Sequence, residues 1–382
     1  MITLTTLLQT SRDTAWSSEL PEFKKQLRGE LVLPSDASYE TARRVWNGMI
    51  DRRPGMIVRC MGVADVIQSI QFARKHGLLV AVRGGGHNVA GNAVCDDGMV
   101  IDMSRMRAVR VDPAGRTAVV EAGATWRDMD HETQMFGLAT TGGLVSTTGV
   151  AGFTLGGGIG WLMRRYGTTC DNLVSADVVT ADGKFLVTSA TENSDLFWGL
   201  RGGGGNFGVV TAFEYRLHPV EPLILGGMLI YQAERAREVL RYYRDYVGKV
   251  SEDLTTLAAF VTAPPLPFIP AHLHGKPIFA IVMCYAGPIE KGQAELEPLR
   301  SHTHPDVDLV QPMPYTVLQG MLDDGAPAGL QNYWKSDYLR ELSDGAIDKI
   351  ADHASKAESP MTQVHIHHIA GYVGRVSRDE TA

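Results

Sequence analysis

The stretch LVAVRGGGHNVAGN, residues 79–92, decides how the rest of the sequence is interpreted. Its apolar, β-branched run ends at Arg83 and predicts a buried strand. The three glycines at 84–86 then let the backbone turn sharply and leave its N–H groups uncovered, as in loops that bind phosphate. His87 and Asn88 follow at the end of the loop. On this stretch alone, a glycine-rich turn with an incidental histidine is an equally good interpretation, because such loops are weak signals.

The composition is that of a globular chain without features that suit nucleic acid or membranes. The 382 residues, 44% of them hydrophobic, suffice for about two domains. The net charge is −7 and no basic run occurs, so we expect no nucleic acid partner. No run approaches the roughly 18 apolar residues of a membrane span. The N-terminus lacks a secretory pattern and the four cysteines form no CxxC motif, which predicts a cytoplasmic protein with reduced thiols.

Before the first loop, the pattern of apolar residues predicts a β-α-β unit. Residues 37–50 look helical, and a strand follows near Met56–Cys60. A helix with one apolar face then runs from Val63 to a stop at Gly77. The strand of the opening stretch completes the unit.

A change of composition near 218–222 indicates a second half of different architecture. There the pattern predicts an antiparallel sheet with helices on one face. Residues 305–332 are expected to be irregular, and Tyr333–Leu339 and Gln363–Val373 are predicted strands.

Two more glycine clusters follow the first loop. The stretch GGLVSTTGVAGFTLGGGIG, residues 142–160, is too rich in glycine for an ordinary helix or strand, so something is expected to approach its backbone closely. The stretch GGGGNFG, residues 202–208, contains GxGxxG. A helix precedes it and the strand-like Val209–Leu217 follows it, which is the wrong order for a dinucleotide fingerprint. Three such clusters together indicate a large cofactor rather than three unrelated loops.

These motifs carry a resemblance to a known family. RGGGHN at 83–88 is similar to the loop with the flavin-linking histidine of berberine-bridge-enzyme-like FAD-linked oxidoreductases. These belong to the vanillyl-alcohol oxidase / p-cresol methylhydroxylase (PCMH) superfamily. The segments at 147–167, 170–183 and 195–217 follow in the family's order. The likeness covers roughly residues 25–376.

The resemblance implies an α+β fold with two domains. Residues 1–220 would form a two-part PCMH-type FAD-binding domain with a core at about 50–220. Residues 221–382 would form the substrate domain, whose antiparallel sheet is backed by helices and forms a ceiling over the isoalloxazine ring.

The resemblance also implies FAD as the cofactor, with His87 joined covalently to the flavin 8α-methyl group. The residues expected to contact the cofactor are Arg83, Gly84, Gly85, Gly86, His87, Asn88, Gly142, Gly143, Ser146, Thr147, Thr148, Gly149, Gly152, Gly156, Gly157, Gly158, Asp171, Asn172, Val178, Gly208 and Val209.

The chain departs from the family pattern in two places. A second linking cysteine, frequent in the family, would stand at Val145, so the sequence predicts one covalent bond only. Family members also continue beyond the segment that matches Tyr372–Ala382. We therefore expect the family's C-terminal return to the FAD domain to be absent.

Candidates for catalysis come from the second half. Lys335 and Tyr338 lie on a predicted strand, and His365 and His367 share one face of another, at the position where some relatives carry a catalytic acid or base. A solvated lysine and edge histidines are the alternative interpretation. Histidine pairs occur without supporting cysteine or acid spacing, so no metal site is expected.

These features favour an oxidoreductase that takes hydride from a small-molecule alcohol or amine, with molecular oxygen reoxidising the flavin to give hydrogen peroxide. One alternative is a truncated flavin-binding protein without turnover. Another is a reductase like those acting on enolpyruvyl substrates, against which His87 argues, because those enzymes bind FAD without a covalent link.

Overall fold

The computed structural model describes residues 16–267 and 269–382, which fold into three large sheets, a two-stranded sheet and surrounding helices. The helices are α1 (Leu20–Gln26), α2 (Tyr39–Ala42), α3 (Val63–His76), α4 (Trp126–Gln134), α5 (Val150–Leu155), α6 (Met163–Tyr166), α7 (Ser194–Leu200), α8 (Ala236–Val247), α9 (Ile289–Thr303), α10 (Tyr315–Gln319) and α11 (Asp344–Ala354). Short 3-10 turns lie at Cys170–Asn172, Ala233–Arg235, Ala271–Leu273, Asp323–Gly325 and Gly371–Arg375.

The strands are β1 (Glu30–Val32), β2 (Met56–Arg59), β3 (Val80–Arg83), β4 (Met99–Asp102), β5 (Val109–Asp112), β6 (Thr117–Glu121), β7 (Leu138–Ala139), β8 (Leu173–Val179), β9 (Phe185–Ser189), β10 (Val209–Arg216), β11 (His218–Pro219), β12 (Leu223–Gln232), β13 (Leu254–Thr262), β14 (Pro277–Tyr285), β15 (Val307–Asp308), β16 (Gln311–Pro314) and β17 (Val364–His367).

The first sheet contains the predicted β-α-β unit. Its strand order is β1-β2-β4-β3, and β2 and β3 both run parallel to β4. Helix α3 connects β2 to β3 and buries Val66, Ile70 and Ala73. It ends at Gly77 with φ of 62°, a left-handed conformation that glycine adopts without a Cβ penalty. The glycine loop therefore emerges directly from the end of β3.

The second sheet is antiparallel, with order β5-β6-β10-β8-β9. It shares one hydrophobic core with the first sheet, in which Val58 and Ile101 join Val120 and Phe213. Because this core is continuous, the two sheets form a single two-part body. We call this body the first unit, residues 16–220.

The third sheet belongs to the second unit, residues 221–382. It is antiparallel, with order β15-β12-β14-β13-β17, and β16 pairs with β12 beside β15. One face packs against the helices, where Phe279 and Ile281 meet Val239 of α8. The other face carries Leu257 and Ala259 toward the first unit. The sheet is thus covered by helices on one side and faces a cleft on the other.

The architecture confirms the predicted α+β class. Among the described residues, no helix combines the length and the apolar character needed to cross a bilayer. All four cysteines are free and buried.

Two predictions for the first unit are wrong in part. Of residues 37–50, only Tyr39–Ala42 is helical, because the backbone at 46–48 bonds instead to residues 329–330 of the second unit. The strand of the opening stretch is not fully buried, since β3 lies at the sheet edge and exposes Val80 and Val82 by 37% and 38%. Those side chains face the cleft.

The glycine-rich stretch 142–160 does contain a short helix, α5, contrary to expectation. Gly149 precedes its first turn, and Val150 and Leu155 are buried in the core of the first unit. Burial of these apolar side chains outweighs the roughly 1 kcal/mol that Gly152 costs within the helix.

The second unit also departs from the predictions. Residues 305–332 contain β15, β16 and α10, where β16 pairs with β12 at an edge that tolerates Pro312 and Pro314. Residues 333–339 form no strand, because β17 occupies the sheet edge beside β13. The predicted strand at 363–373 is limited to Val364–His367.

The expected absence of the family's C-terminal return to the FAD domain stays a prediction, while residues 379–382 contact the first unit. Trp198 Nε1 donates to the carbonyl of Asp379 at 2.9 Å, and the Ala382 N–H donates to the carbonyl of Arg201 at 3.2 Å. The last residues therefore pack against α7 of the first unit.

Candidate functional site

A large cleft separates the glycine loops of the first unit from the sheet of the second. Its volume is about 3040 Å³. The floor consists of the loops at 84–88, 143–149 and 204–208, which the three glycine clusters form. The ceiling consists of residues of β12, β13, β14 and β17. The separate sequence signals therefore converge on one cleft.

The loop at 84–88 is built to receive an anion. Within the described part of the chain, none of its five backbone N–H groups donates to a protein acceptor. Successive free N–H groups form a concave site for phosphate oxygens. The loop at 143–149 comes so close that a Cβ on Gly85 would lie 2.4 Å from the backbone nitrogen of Gly149. This donor set fits the pyrophosphate of FAD.

His87 stands at the end of that loop, and its ring contacts two neighbours. Trp46 stacks on it, with ring centroids 5.2 Å apart and planes at 17°. At the edge of the ring, Nε2 lies 3.3 Å from Thr147 Oγ1. Burial lowers the pKa of His87 to about 4, and the nearby Asp323 carboxylate opposes that effect. The imidazole is therefore neutral at pH 7, the form in which it is a nucleophile.

The ceiling presents two histidines to the cleft. In the register of β13 and β17, His365 pairs with Ala259 and His367 pairs with Leu257, whose side chains also line the cleft. The two imidazole centroids are 6.0 Å apart, and His365 Nε2 lies 2.9 Å from Gln363 Oε1. Burial lowers both pKa values, that of His367 to about 4. Both rings are therefore unprotonated at neutral pH.

About half of the predicted cofactor contacts lie on the cleft wall. Those on the wall are Gly84, Gly85, Gly86, His87, Asn88, Gly143, Thr148, Gly149, Gly152, Gly156 and Gly208. The candidates Lys335, Tyr338, His365 and His367 also line the cleft, although Tyr338 is 86% exposed.

The remaining predicted contacts do not line the cleft. These are Arg83, Gly142, Ser146, Thr147, Gly157, Gly158, Asp171, Asn172, Val178 and Val209. Arg83 supports the loop from below, since its guanidinium donates to Asp102 at 2.5 Å. Asn172 Oδ1 lies 2.6 Å from His218 Nε2.

Sequence reasoning missed two residues beside His87. Trp46 falls in a segment interpreted as helix, and Asp323 falls in one interpreted as irregular. Neither carries a local pattern that would reveal it. Among the described residues, no group of three or more histidines, cysteines or acids could hold a metal ion.

Comparison with known proteins agrees with this geometry. Residues 54–189 match the family model described as an FAD binding domain. A FAD-linked oxidoreductase of Dictyostelium discoideum is 32% identical over 362 residues, which is 94% of this chain and 76% of that protein. The (R)-6-hydroxynicotine oxidase of Paenarthrobacter nicotinovorans is 37% identical over 205 residues, which is 54% of this chain and 45% of that enzyme.

A solved structure has the same fold. The crystal structure of 6-hydroxy-D-nicotine oxidase from Arthrobacter nicotinovorans matches with a TM-score of 0.80 and 27% identity, over 89% of this chain and 75% of that one. The share of each relative that this chain spans thus ranges from under half to about three quarters.

Proposed function

Since this chain belongs to the PCMH-type FAD-linked oxidoreductases, we propose that it is an oxidase that carries FAD covalently on His87 and oxidises a small alcohol or amine. When bound, the flavin would accept a hydride from the substrate carbon and pass two electrons to oxygen. For an alcohol, the overall change is alcohol plus O₂ to carbonyl compound plus H₂O₂. One relative is named as an oxidase of a hydroxylated nicotine, which supports an amine as substrate.

The observation that carries this proposal is that phosphate-binding donors and neutral imidazoles lie on opposite walls of the same cleft. The floor offers five N–H donors that find no acceptor among the described residues, and these end at a neutral imidazole. The ceiling offers two further neutral imidazoles across the same cleft. Such a cleft suits a flat cofactor on the floor and a small substrate below the sheet.

Different residues of the chain would bind the cofactor, exclude water and accept the proton. The N–H groups at 84–88 would bind the pyrophosphate, and His87 would hold the flavin through a bond to its 8α-methyl carbon. Overall, the imidazole N–H and one methyl hydrogen would be lost, and O₂ would take both with two electrons as H₂O₂. The apolar sheet face, including Leu257 and Val282, would exclude water from the substrate. His367 would take the proton from the substrate hydroxyl or amine, because its unprotonated imidazole lines the cleft on the substrate side.

Acid denaturation of the FAD-loaded protein tests the covalent bond. We expect the wild-type precipitate to stay yellow and the His87→Ala precipitate to be colourless, with its flavin in the supernatant. Cys170→Ala is the matched control and should keep its flavin, because Cys170 is buried away from the cleft. A flavin-loaded wild-type protein whose His87 peptide lacks the flavin mass would contradict the proposal.

Turnover is tested separately with a panel of alcohols and amines. Peroxide formation that needs both a donor and oxygen would support an oxidase. Stable yellow protein that no donor reduces would instead leave a flavin-binding protein without turnover.

A further inference from the structure

We propose that a segment of the second unit, Asp323–Asn332, positions the imidazole of His87 for flavin attachment, with Asp323 as a positioning residue. We call this segment the clasp. The inference rests on the covalent link proposed above and adds a cause for it. Both side chains that contact the imidazole belong to the first unit, and the clasp bonds to Trp46 and to Ser146, the residue before Thr147.

The first anchor acts on the Thr147 side of the ring. Asp323 accepts the Ser146 N–H at 2.7 Å and the Ser146 hydroxyl at 2.6 Å. The same carboxylate accepts from Arg127 at 2.8 Å, and Arg127 in turn donates to Ser146 Oγ at 3.1 Å. Thr147, which contacts His87 Nε2, is the next residue along the chain. Asp323 therefore fixes the loop one residue away from that contact.

The second anchor acts on the Trp46 side of the ring. Trp46 Nε1 donates to the carbonyl of Ala326 at 2.9 Å, and the Gly329 N–H donates to the carbonyl of Trp46 at 2.8 Å. The Asn47 side chain bonds to the backbone of Asn332 in both directions, each at 2.9 Å. Four hydrogen bonds thus hold the stacking tryptophan and its neighbour against the clasp.

Together the anchors explain how a ring at the end of a glycine loop keeps one orientation. Glycine allows the loop many backbone conformations, so the loop by itself does not orient His87. The clasp restricts both flanking surfaces, and its Asp323 carboxylate is 84% buried, where hydrogen bonds to a charged group are strong. Attachment of flavin then depends on docking of the second unit on the first.

The test compares Asp323→Asn with a matched control, Asp253→Asn. Asp253 also forms an ion pair between the units, with Arg165 at 3.0 Å, but it does not contact the loops around His87. Full-length protein prepared without flavin is mixed with FAD at several concentrations, and acid-stable flavin is followed over time. These time courses separate the maximal rate of attachment from the FAD concentration that gives half of it.

We expect Asp323→Asn to slow the maximal rate roughly 10-fold to 100-fold, the scale of a lost hydrogen bond to a charged group. The half-saturating FAD concentration should change little, because the N–H donors at 84–88 remain. Asp253→Asn should attach flavin at the wild-type rate. A purely structural role would instead shift the half-saturating concentration, or affect both variants equally.

A second variant covers the case in which Asp323→Asn does not fold. Asn47→Ala removes two of the four hydrogen bonds on the Trp46 side, together with the bond from Asn47 to the Val89 carbonyl, and should also slow attachment. If wild-type protein gains no acid-stable flavin, the proposed covalent link does not exist, and the proposed role of the clasp is wrong as well. If the wild type gains flavin and either folded clasp variant matches its rate, the clasp inference alone is overturned.

Discussion

Replacing Asp130 with asparagine should stabilise the protein at neutral and alkaline pH. Asp130 lies on α4 and is 3% exposed, and the Gln319 side chain of the second unit donates to it at 2.7 Å. Burial raises its pKa from 3.8 to about 7, although the bond from Gln319 opposes this rise. The same carboxylate contributes to a raised pKa of Tyr315, after burial of that hydroxyl.

The size of the stability change follows from the pKa of Asp130 in the unfolded and in the folded protein. Between pH 3.8 and about 7, the folded protein holds a proton on Asp130 that the unfolded chain has lost. Stability therefore falls as pH rises through this window, by about 1.4 kcal/mol per pH unit. The full loss is about 4 kcal/mol, a large part of the roughly 5–15 kcal/mol that stabilises a typical protein. Asparagine has the same shape and carries no charge, so the variant avoids this loss.

Urea unfolding of wild type and Asp130→Asn at a series of pH values measures the effect. The stability difference should be near zero at about pH 4, grow through about pH 7 and then level off. Asp195→Asn, on the exposed face of α7, serves as the control and should follow the wild type. Parallel pH profiles for wild type and Asp130→Asn, or a variant that is less stable at pH 8, would refute the reasoning.

Two further predictions concern the cleft. Gly85→Ala should leave the protein without flavin, because the new Cβ would lie 2.4 Å from a backbone nitrogen of the opposite loop. Such overpacking costs roughly 1–3 kcal/mol. The flavin absorbance per protein molecule measures the loss. Gly345→Ala in α11, which meets open space, should keep the flavin and gain up to about 1 kcal/mol of stability. His367→Gln should slow flavin reduction by substrate roughly 10²-fold to 10⁴-fold in stopped-flow traces. The wild-type rate should fall below about pH 4, where His367 gains a proton, and a rate unchanged there would exclude His367 as the base.

Local signals in the sequence were sufficient to predict the elements that form the floor of the cleft. The helix stop at Gly77, the strand that ends at Arg83 and the three glycine clusters are set by neighbouring residues, so they can be recognised without the rest of the chain. The rejection of a dinucleotide fingerprint at 202–208 also rested on local order, and β10 does follow α7 there.

Only the tertiary structure decided the ceiling and the surroundings of His87. Residues 333–339 have a strand-like pattern, yet β17 pairs with the edge of β13. A sequence pattern does not reveal which of two segments pairs with the same sheet edge. Residues 46–48 leave the predicted helix because their hydrogen-bond partners lie about 280 positions away. Asp323 reaches the glycine loop across 177 positions. Such partners are brought together by packing of the two units, and no periodicity within either segment carries that information.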